Sequence, residues 1–453
     1  MYHSIRTSTR ILAFSLVLIL LASGCSADQP TPALSGLAQP TYPAMADYPN
    51  EQDYIGLTGE FDSEGFEEVY SAWRSDQQAQ RDQPEGYADS LQPFFRTAIP
   101  ALLDQDSKNA VCSPLNIFMA LSLLAESTSG SSRQQILDAL NAADLSNLRT
   151  QAGQIWNAHY NNDGASSCVL ANSLWLRNGL EYHDATVRSL SENYYASVFQ
   201  GPLGSEEMTQ ALRDWLDTQT DGLLSDQIGN LQMSPDTNLA LASTIYYRAK
   251  WQNIFHKDRN TEGIFYSKEG ERDAVFMNRT ASAPYYWGAD FGAVALSLED
   301  GSRMWLVLPD ENKSPADVLA NGQALELILG DPESYPDQRR ILVHLSLPKF
   351  DISGSMELKD PLSTLGICDV FTSSADFRPI LPSSAAWLDS AQHAARVAID
   401  EEGVTAAAYT VMMTVGAAPP PKDEIYLTFD RPFLFVISSH DNLPLFAGIV
   451  NTP

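Results

Sequence analysis

Between residues 87 and 453 the apolar positions recur first every three to four residues and later every second residue. Helical spacing covers 88–103, 117–125, 133–140 and 208–219, where apolar side chains fall on one face of a helix. Alternating or continuous apolar runs at 169–176, 239–247, 294–298, 304–308, 341–347, 425–429 and 433–437 predict strands. Helices gather early and strands dominate late, the order of an α+β fold. No internal repeat, low-complexity run or second linker interrupts the stretch. It is read as one domain, 87–453, long enough to bury a large core.

The chain ahead of it reads differently. Arg6 and Arg10 precede an apolar run at 11–22, too short to cross a bilayer comfortably and suited to the centre of a signal peptide. The run closes on Ala22-Ser23-Gly24-Cys25, small residues directly before a cysteine. This resembles the lipobox of bacterial lipoproteins, with Ala22 where Leu is usual. Residues 1–24 are therefore expected to be a lipoprotein signal peptide and Cys25 the lipidated residue. The acyl chains would hold the protein outside the cytoplasm, at a bacterial membrane or cell surface. From Cys25 to residue 86, five prolines between Pro30 and Pro49 and several acidic residues predict a tether. Within it Phe66, Val69, Tyr70 and Trp73 are spaced as one face of a short helix near 64–76.

One stretch has conflicting signals. Residues 398–421 begin as a strand, break at Gly403, run through small residues and stop at Pro419-Pro420-Pro421. Val404 to Val415 contains no charge, Gly or Pro, as suits a strand fitted between others. Yet its flanks, Glu401-Glu402-Gly403 and Gly416 to Pro421, read as exposed loop. Buried-strand composition inside loop boundaries marks a functional segment.

Glu401-Glu402-Gly403-Val404-Thr405-Ala406-Ala407-Ala408 resembles the hinge of the reactive-centre loop of inhibitory serpins, usually Glu-Glu-Gly-Thr-Glu-Ala-Ala-Ala. Four further blocks follow the order of that family. Val111-Cys112-Ser113-Pro114-Leu115-Asn116-Ile117 looks like its Ser-Pro helix start, and Ile245 to Trp251 with Phe255 like its Tyr-Phe-Lys-Gly-Lys-Trp block. Leu347-Pro348-Lys349-Phe350, with Leu358-Lys359 and Leu365-Gly366-Ile367, is similar to its Leu-Pro-Lys-Phe and Leu-Gly signature. Asp430 to Phe435 and Phe446-Ala447-Gly448 match its closing strands. The ordered set spans about residues 87–451 and implies a serpin fold: helices packed around a large central β-sheet, smaller sheets, and an exposed reactive-centre loop.

The resemblance also implies a mechanism. A serine or cysteine protease attacks the loop and forms an acyl-enzyme. The cut loop then inserts into the main sheet as a new strand, and the tethered protease is distorted before water can release it. Ser113, Ser243 and His393 fall at the polar shutter beneath that sheet, and Trp251 at the breach where insertion begins. Ser243 stands where most members carry Asn, so its hydrogen-bond partners must differ. Val404 replaces a usual Thr or Ser, and Tyr409 is large in a run that is normally small. Neither is a charge or a proline. Spacing from the hinge puts the reactive bond at Ala417-Ala418, which suits an elastase- or subtilisin-like pocket; Met413 and Val415 are the alternatives. A non-inhibitory surface protein with a binding or structural role is the other function the fold allows.

Charge and cysteines narrow the partners. The formal net charge of −29 argues against nucleic acid, whose phosphates demand a basic face. Cys112, Cys168 and Cys368 sit far apart in apolar blocks, with no Cys-x-x-Cys and no adjacent His. They are expected to be buried free thiols, a single disulfide among them remaining open. The seven histidines show no metal-ligand spacing, and no phosphate loop or Gly-x-Ser-x-Gly elbow occurs. No enzyme activity, metal or cofactor is expected, and the protein is expected to act as a monomer whose partners are a target protease and a membrane.

Overall fold

The computed structural model describes residues 36–56, 59–103, 108–229, 231–383, 385–404 and 423–453. In chain order the first part contains α1 (Ser63–Arg81), α2 (Gln92–Leu102), β1 (Ala110–Cys112), α3 (Pro114–Ser127), α4 (Gly130–Ala139) and α5 (Leu145–His159). There follow β2 (Asn161–Asn162), β3 (Ser167–Arg177), α6 (Asp184–Tyr194), β4 (Ala196–Gly201), α7 (Glu206–Gln219), α8 (Ser225–Ile228) and β5 (Leu239–Lys250). Then come β6 (Thr261–Ser267), β7 (Gly270–Trp287), β8 (Phe291–Ser297), β9 (Arg303–Pro309), α9 (Pro315–Asn321) and α10 (Gln323–Leu329). The last part is β10 (Gln338–Pro348), β11 (Phe350–Glu357), α11 (Lys359–Thr364), β12 (Ser390–Ile399), β13 (Gly403–Val404), β14 (Glu424–Thr428), β15 (Phe433–Ser438) and β16 (Pro444–Val450).

The helix α3 sets the layering. Ser113 caps it by accepting a hydrogen bond from the Asn116 amide, and Pro114 starts the first turn with its φ already helical. Every residue of α3 is buried, and a helix with no polar face must run through an interior. It packs on β3 and β5 on one side and on β16 on the other, between two sheets.

One sheet has the order β11-β12-β13-β5-β3-β2, with β4 beside β3; the other runs β1-β16-β15-β9-β8-β7-β10-β14, with β6 on β7. In the first sheet β3 and β5 are buried along nearly their whole length, which explains their continuous apolar runs. In the second, the last strands β15 and β16 are buried throughout.

Several elements were hidden from a pattern reading. In α5 the buried stripe Leu148, Ala152, Ile155, Trp156 and His159 keeps helical spacing but is interleaved with polar residues. Only Phe276, Met277 and Tyr286 of the long strand β7 are buried, so it carries no sustained apolar alternation.

The stretch expected as a tether is seated on the protein from Gly36 onward. The Leu37 and Ala38 amides both donate to Val198 O, at 2.7 and 3.3 Å, and cover the free edge of β4. The Tyr42 ring rests 5.2 Å from Trp156 and 5.3 Å from Tyr160. The helix near 64–76 runs the length of α1 and lies against α5. Prolines and acids are frequent here, yet seven aromatics between Tyr42 and Trp73 help anchor the chain. Cys25 and the 1–24 segment lie outside the described residues.

Among the described residues Cys112, Cys168 and Cys368 are free. Cys112 and Cys168 are buried as expected, but Cys368 is exposed. The chain leaves α11 through Gly366 at φ 88° and turns Ile367 into the core, which leaves Cys368 facing solvent. Its apolar flank misled the sequence reading.

Candidate functional site

At the centre of the first sheet β12 and β5 are joined over only part of their length. They pair in parallel from Ser390↔Ala240 to Ala394↔Thr244. Above Ala394 the two strands part, and β13 occupies the mouth of the gap. Val404 pairs antiparallel with Ile399 on one side and Ala249 on the other, and Gly403 with Lys250. The first residues of the loop are therefore already a short strand inside the sheet.

A tight turn delivers them there. The Asp400 carboxylate accepts from the amides of Glu402 (2.8 Å) and Gly403 (3.2 Å), and the Asp400 amide donates to Gly403 O (3.1 Å). Gly403 is obligatory by contact: a Cβ there would lie 2.3 Å from Ala249 O and 2.7 Å from Lys250 Cα. Trp251 is fully buried beside the turn. Its indole N–H donates to Asp400 O at 2.8 Å and its amide to Glu402 O at 2.9 Å. Glu401 is only 3% exposed, yet it is charged: its carboxylate meets Lys349 Nζ at 2.5 Å and the Asn260 amide. Burial raises its pKa, but the Lys349 ion pair and Asn260 outweigh that and hold it below the ordinary carboxylate value. The mouth of the gap is thus tied by backbone, indole and ion pair to one turn.

The closed part of the sheet is held by a buried polar cluster under its upper end. His393 sits opposite Ser243 in the strand register. Its Nε2 accepts from the Ser113 amide at 2.9 Å, and its Nδ1 faces Ser243 Oγ at 3.3 Å. With Nε2 accepting, the ring is neutral, and burial pushes its pKa down to about 3. The amide that the resemblance expects at 243 is supplied from α3. Asn116 Nδ2 lies 2.9 Å from Ser243 Oγ, 2.6 Å from Thr244 O and 3.2 Å from Ala171 O, while its Oδ1 accepts from Asn172 Nδ2 at 2.9 Å. The Thr244 hydroxyl donates across the junction to Ala394 O at 3.1 Å. Asn172 Oδ1 has no hydrogen-bond partner among the described residues.

The expected site residues thus divide clearly. Ser113, Ser243 and His393 are brought together, and Trp251 stands with Glu401, Glu402, Gly403 and Val404 at the mouth of the gap. Ser113 reaches His393 by its backbone amide, since its hydroxyl is committed to capping α3. Thr405, Ala406, Ala407 and Ala408, the reactive bond at Ala417-Ala418, and the alternatives Met413 and Val415 lie outside the described residues. Asn116, Asn172, Thr244, Asn260 and Lys349 were missed as site residues. Asn116 was legible in principle, as an amide on the one helix with no polar face.

Comparison with known proteins agrees with this geometry. Residues 94–453 match the family model described as serpin (serine protease inhibitor). The chain is 28% identical over 364 residues to alpha-1-antiproteinase of Mus saxicola, covering 77% of this chain and 84% of that protein. The thermophilic serpin tengpin in its native state superposes with a TM-score of 0.72 at 22% identity, over 82% of this chain and 95% of tengpin. Human thyroxine-binding globulin, solved with its hormone, superposes with a TM-score of 0.69 at 20% identity, over 81% of this chain and 99% of that one.

The neutral His393 makes the closed sheet sensitive to acid. Its folded pKa of about 3 lies below the ordinary 6.5, so its contribution is complete above pH 6.5 and is lost as pH falls from there towards 3. Exchange of His393 for Gln, which does not titrate, should flatten the fall of the unfolding free energy, measured by urea titration, between pH 6.5 and 4 by about 1.4 kcal/mol per pH unit. Parallel curves for the two proteins would show that His393 is not the group responsible.

Proposed function

Because this chain belongs to the serpin family, whose members are mostly protease inhibitors, we propose that it is a suicide inhibitor of extracellular serine or cysteine proteases of elastase- or subtilisin-like specificity. The observation that carries this is the part-open sheet with Gly403 and Val404 already in its mouth. A gap in register with the start of the loop is what insertion of that loop requires.

The two registers of β13 agree on where an inserted loop would go. Continued one residue at a time, they bring Thr405 to Ala398 and Arg248, and Ala408 to Ala395 and Ile245, all in the unjoined part of the sheet. Tyr409 then meets Ala394 and Thr244, the first pair that has to separate, and Thr410 arrives between His393 and Ser243. So four residues can enter freely, and the fifth must break the shutter. Directly paired residues share a face. Ala406, Ala408 and Thr410 would lie on the side of Val397, Ala395 and His393, and no charge would be buried there. Tyr409 would take the opposite face, with Ala394 and Thr244.

Chemistry and energetics fit together in this scheme. The protease's hydroxyl or thiol attacks the scissile carbonyl, the peptide bond breaks, the new amino terminus leaves, and an ester or thioester joins loop to enzyme. Insertion of about a dozen residues forms backbone bonds of roughly 0.5–1.5 kcal/mol net each, a sum on the order of 10 kcal/mol. That makes the transition one-way before water completes the cycle; reactive-loop insertion is a standing example of strand addition. The proposed reactive bond is Ala417-Ala418, with Met413 or Val415 as the alternatives.

Mixing the purified protein with pancreatic-type elastase, subtilisin, chymotrypsin and papain should yield a covalent complex that survives SDS, the cleavage site being read by mass spectrometry. Clean cleavage with no complex and no gain in heat stability would overturn inhibition and leave the binding-module reading. The proposal also places the protein outside the cytoplasm, as a monomer held at a bacterial membrane through lipid on Cys25. Exchange of Cys25 for Ser should release it from the membrane fraction, and unchanged retention would refute the anchor.

A further inference from the structure

Away from the sheet opening, the fold gathers three ligand-type side chains from distant parts of the sequence. His159 ends α5, while His440 and Asp441 form the turn between β15 and β16. One ring nitrogen of each histidine and one Asp441 oxygen all lie within 4.8 Å of one another. We infer that His159, His440 and Asp441 form a binding site for a divalent cation of the zinc class, with a fourth position open to water. The sequence reading expected no metal because the histidines show no ligand spacing; only the fold closes the distance.

The first two ligands are already oriented. His159, with a side chain 1% exposed, has its Nδ1 2.7 Å from Ile155 O, to which the Nδ1–H donates, so Nε2 is the atom free to coordinate. That Nε2 stands 3.0 Å from Asp441 Oδ1. At zinc–ligand bonds of 2.0–2.1 Å, neighbouring ligands of a tetrahedron lie roughly 3.3 Å apart, so this pair has nearly the required edge. Asp441 is itself held, by the Tyr87 hydroxyl on Oδ2 and the Ser439 hydroxyl on Oδ1. Hydrogen bonds of this kind fix ligand geometry in metal sites. His440 is at the surface, with a ring nitrogen within 4.8 Å of the other two ligand atoms.

The present arrangement pairs His159 with Asp441 through a proton. A bound cation would take that proton's place and send it to solvent. Arg81, close to His159 and His440, works against a cation. Two imidazoles and one carboxylate favour zinc, cobalt or nickel over calcium or magnesium, which prefer all-oxygen sites. Binding would fasten the end of α5 to the β15–β16 turn and, through Tyr87, to the start of the domain.

The test uses the full chain without a histidine tag, titrated with Co²⁺ alone and then with Zn²⁺ as competitor. One Co²⁺ per chain should bind with the visible absorption of a tetrahedral site, Zn²⁺ should displace it, and Zn²⁺ should raise the heat midpoint. His440→Ala, a surface change that leaves the core intact, should weaken Co²⁺ at least about tenfold, while Cys368→Ser should leave it unchanged. Absence of a saturable Co²⁺ spectrum, or equal affinity in a folded His440→Ala protein, would overturn the site.

Discussion

A sheet whose two middle strands are joined at one end and separated at the other is the constraint on which this structure depends. Backbone amides and carbonyls seek partners, and a gap between strands leaves two inner edges that a third strand could satisfy. Among the described residues only Gly403 and Val404 enter that gap. The native state therefore keeps pairing in reserve. What must be explained is how it stays that way, and the answer lies in two small groups of residues.

At the mouth, Trp251, Asn260 and Lys349 grip the Asp400–Gly403 turn through carbonyls and one buried carboxylate. Below it, His393, Ser243 and Thr244 hold β12 to β5, backed by Ser113 and Asn116 from α3. The two groups differ in kind. The mouth uses an ion pair in a site where one partner reaches solvent, whereas the shutter uses only neutral groups, as its full burial requires. A neutral network can be taken apart and remade around a new strand without leaving a charge behind. That is the property a sheet needs if it is to open once and close on a different partner.

Much of this was legible before the fold was seen. Glu401 to Ala408 and the blocks around Ser113, Trp251, Lys349 and Pro432 each carry a local pattern, and their order along the chain identified the fold. The compensation at the shutter was not legible, because Asn116 and Ser243 are 127 positions apart and meet only when α3 runs under β5. The same holds for His159 and Asp441, joined across 282 positions. The seating of the 36–86 stretch was missed for another reason: composition reports the average of a segment, and its four prolines and many acids drew attention from seven aromatics.

The most direct measurement of the central claim is a crystal structure of the protein after a protease has cut its loop. The account predicts a new strand between β12 and β5, antiparallel to both, with Thr410 between His393 and Ser243 and the Ala394↔Thr244 pair separated. A cleaved chain whose loop stays outside, with the pairs from Ser390↔Ala240 to Ala394↔Thr244 unchanged, would contradict it.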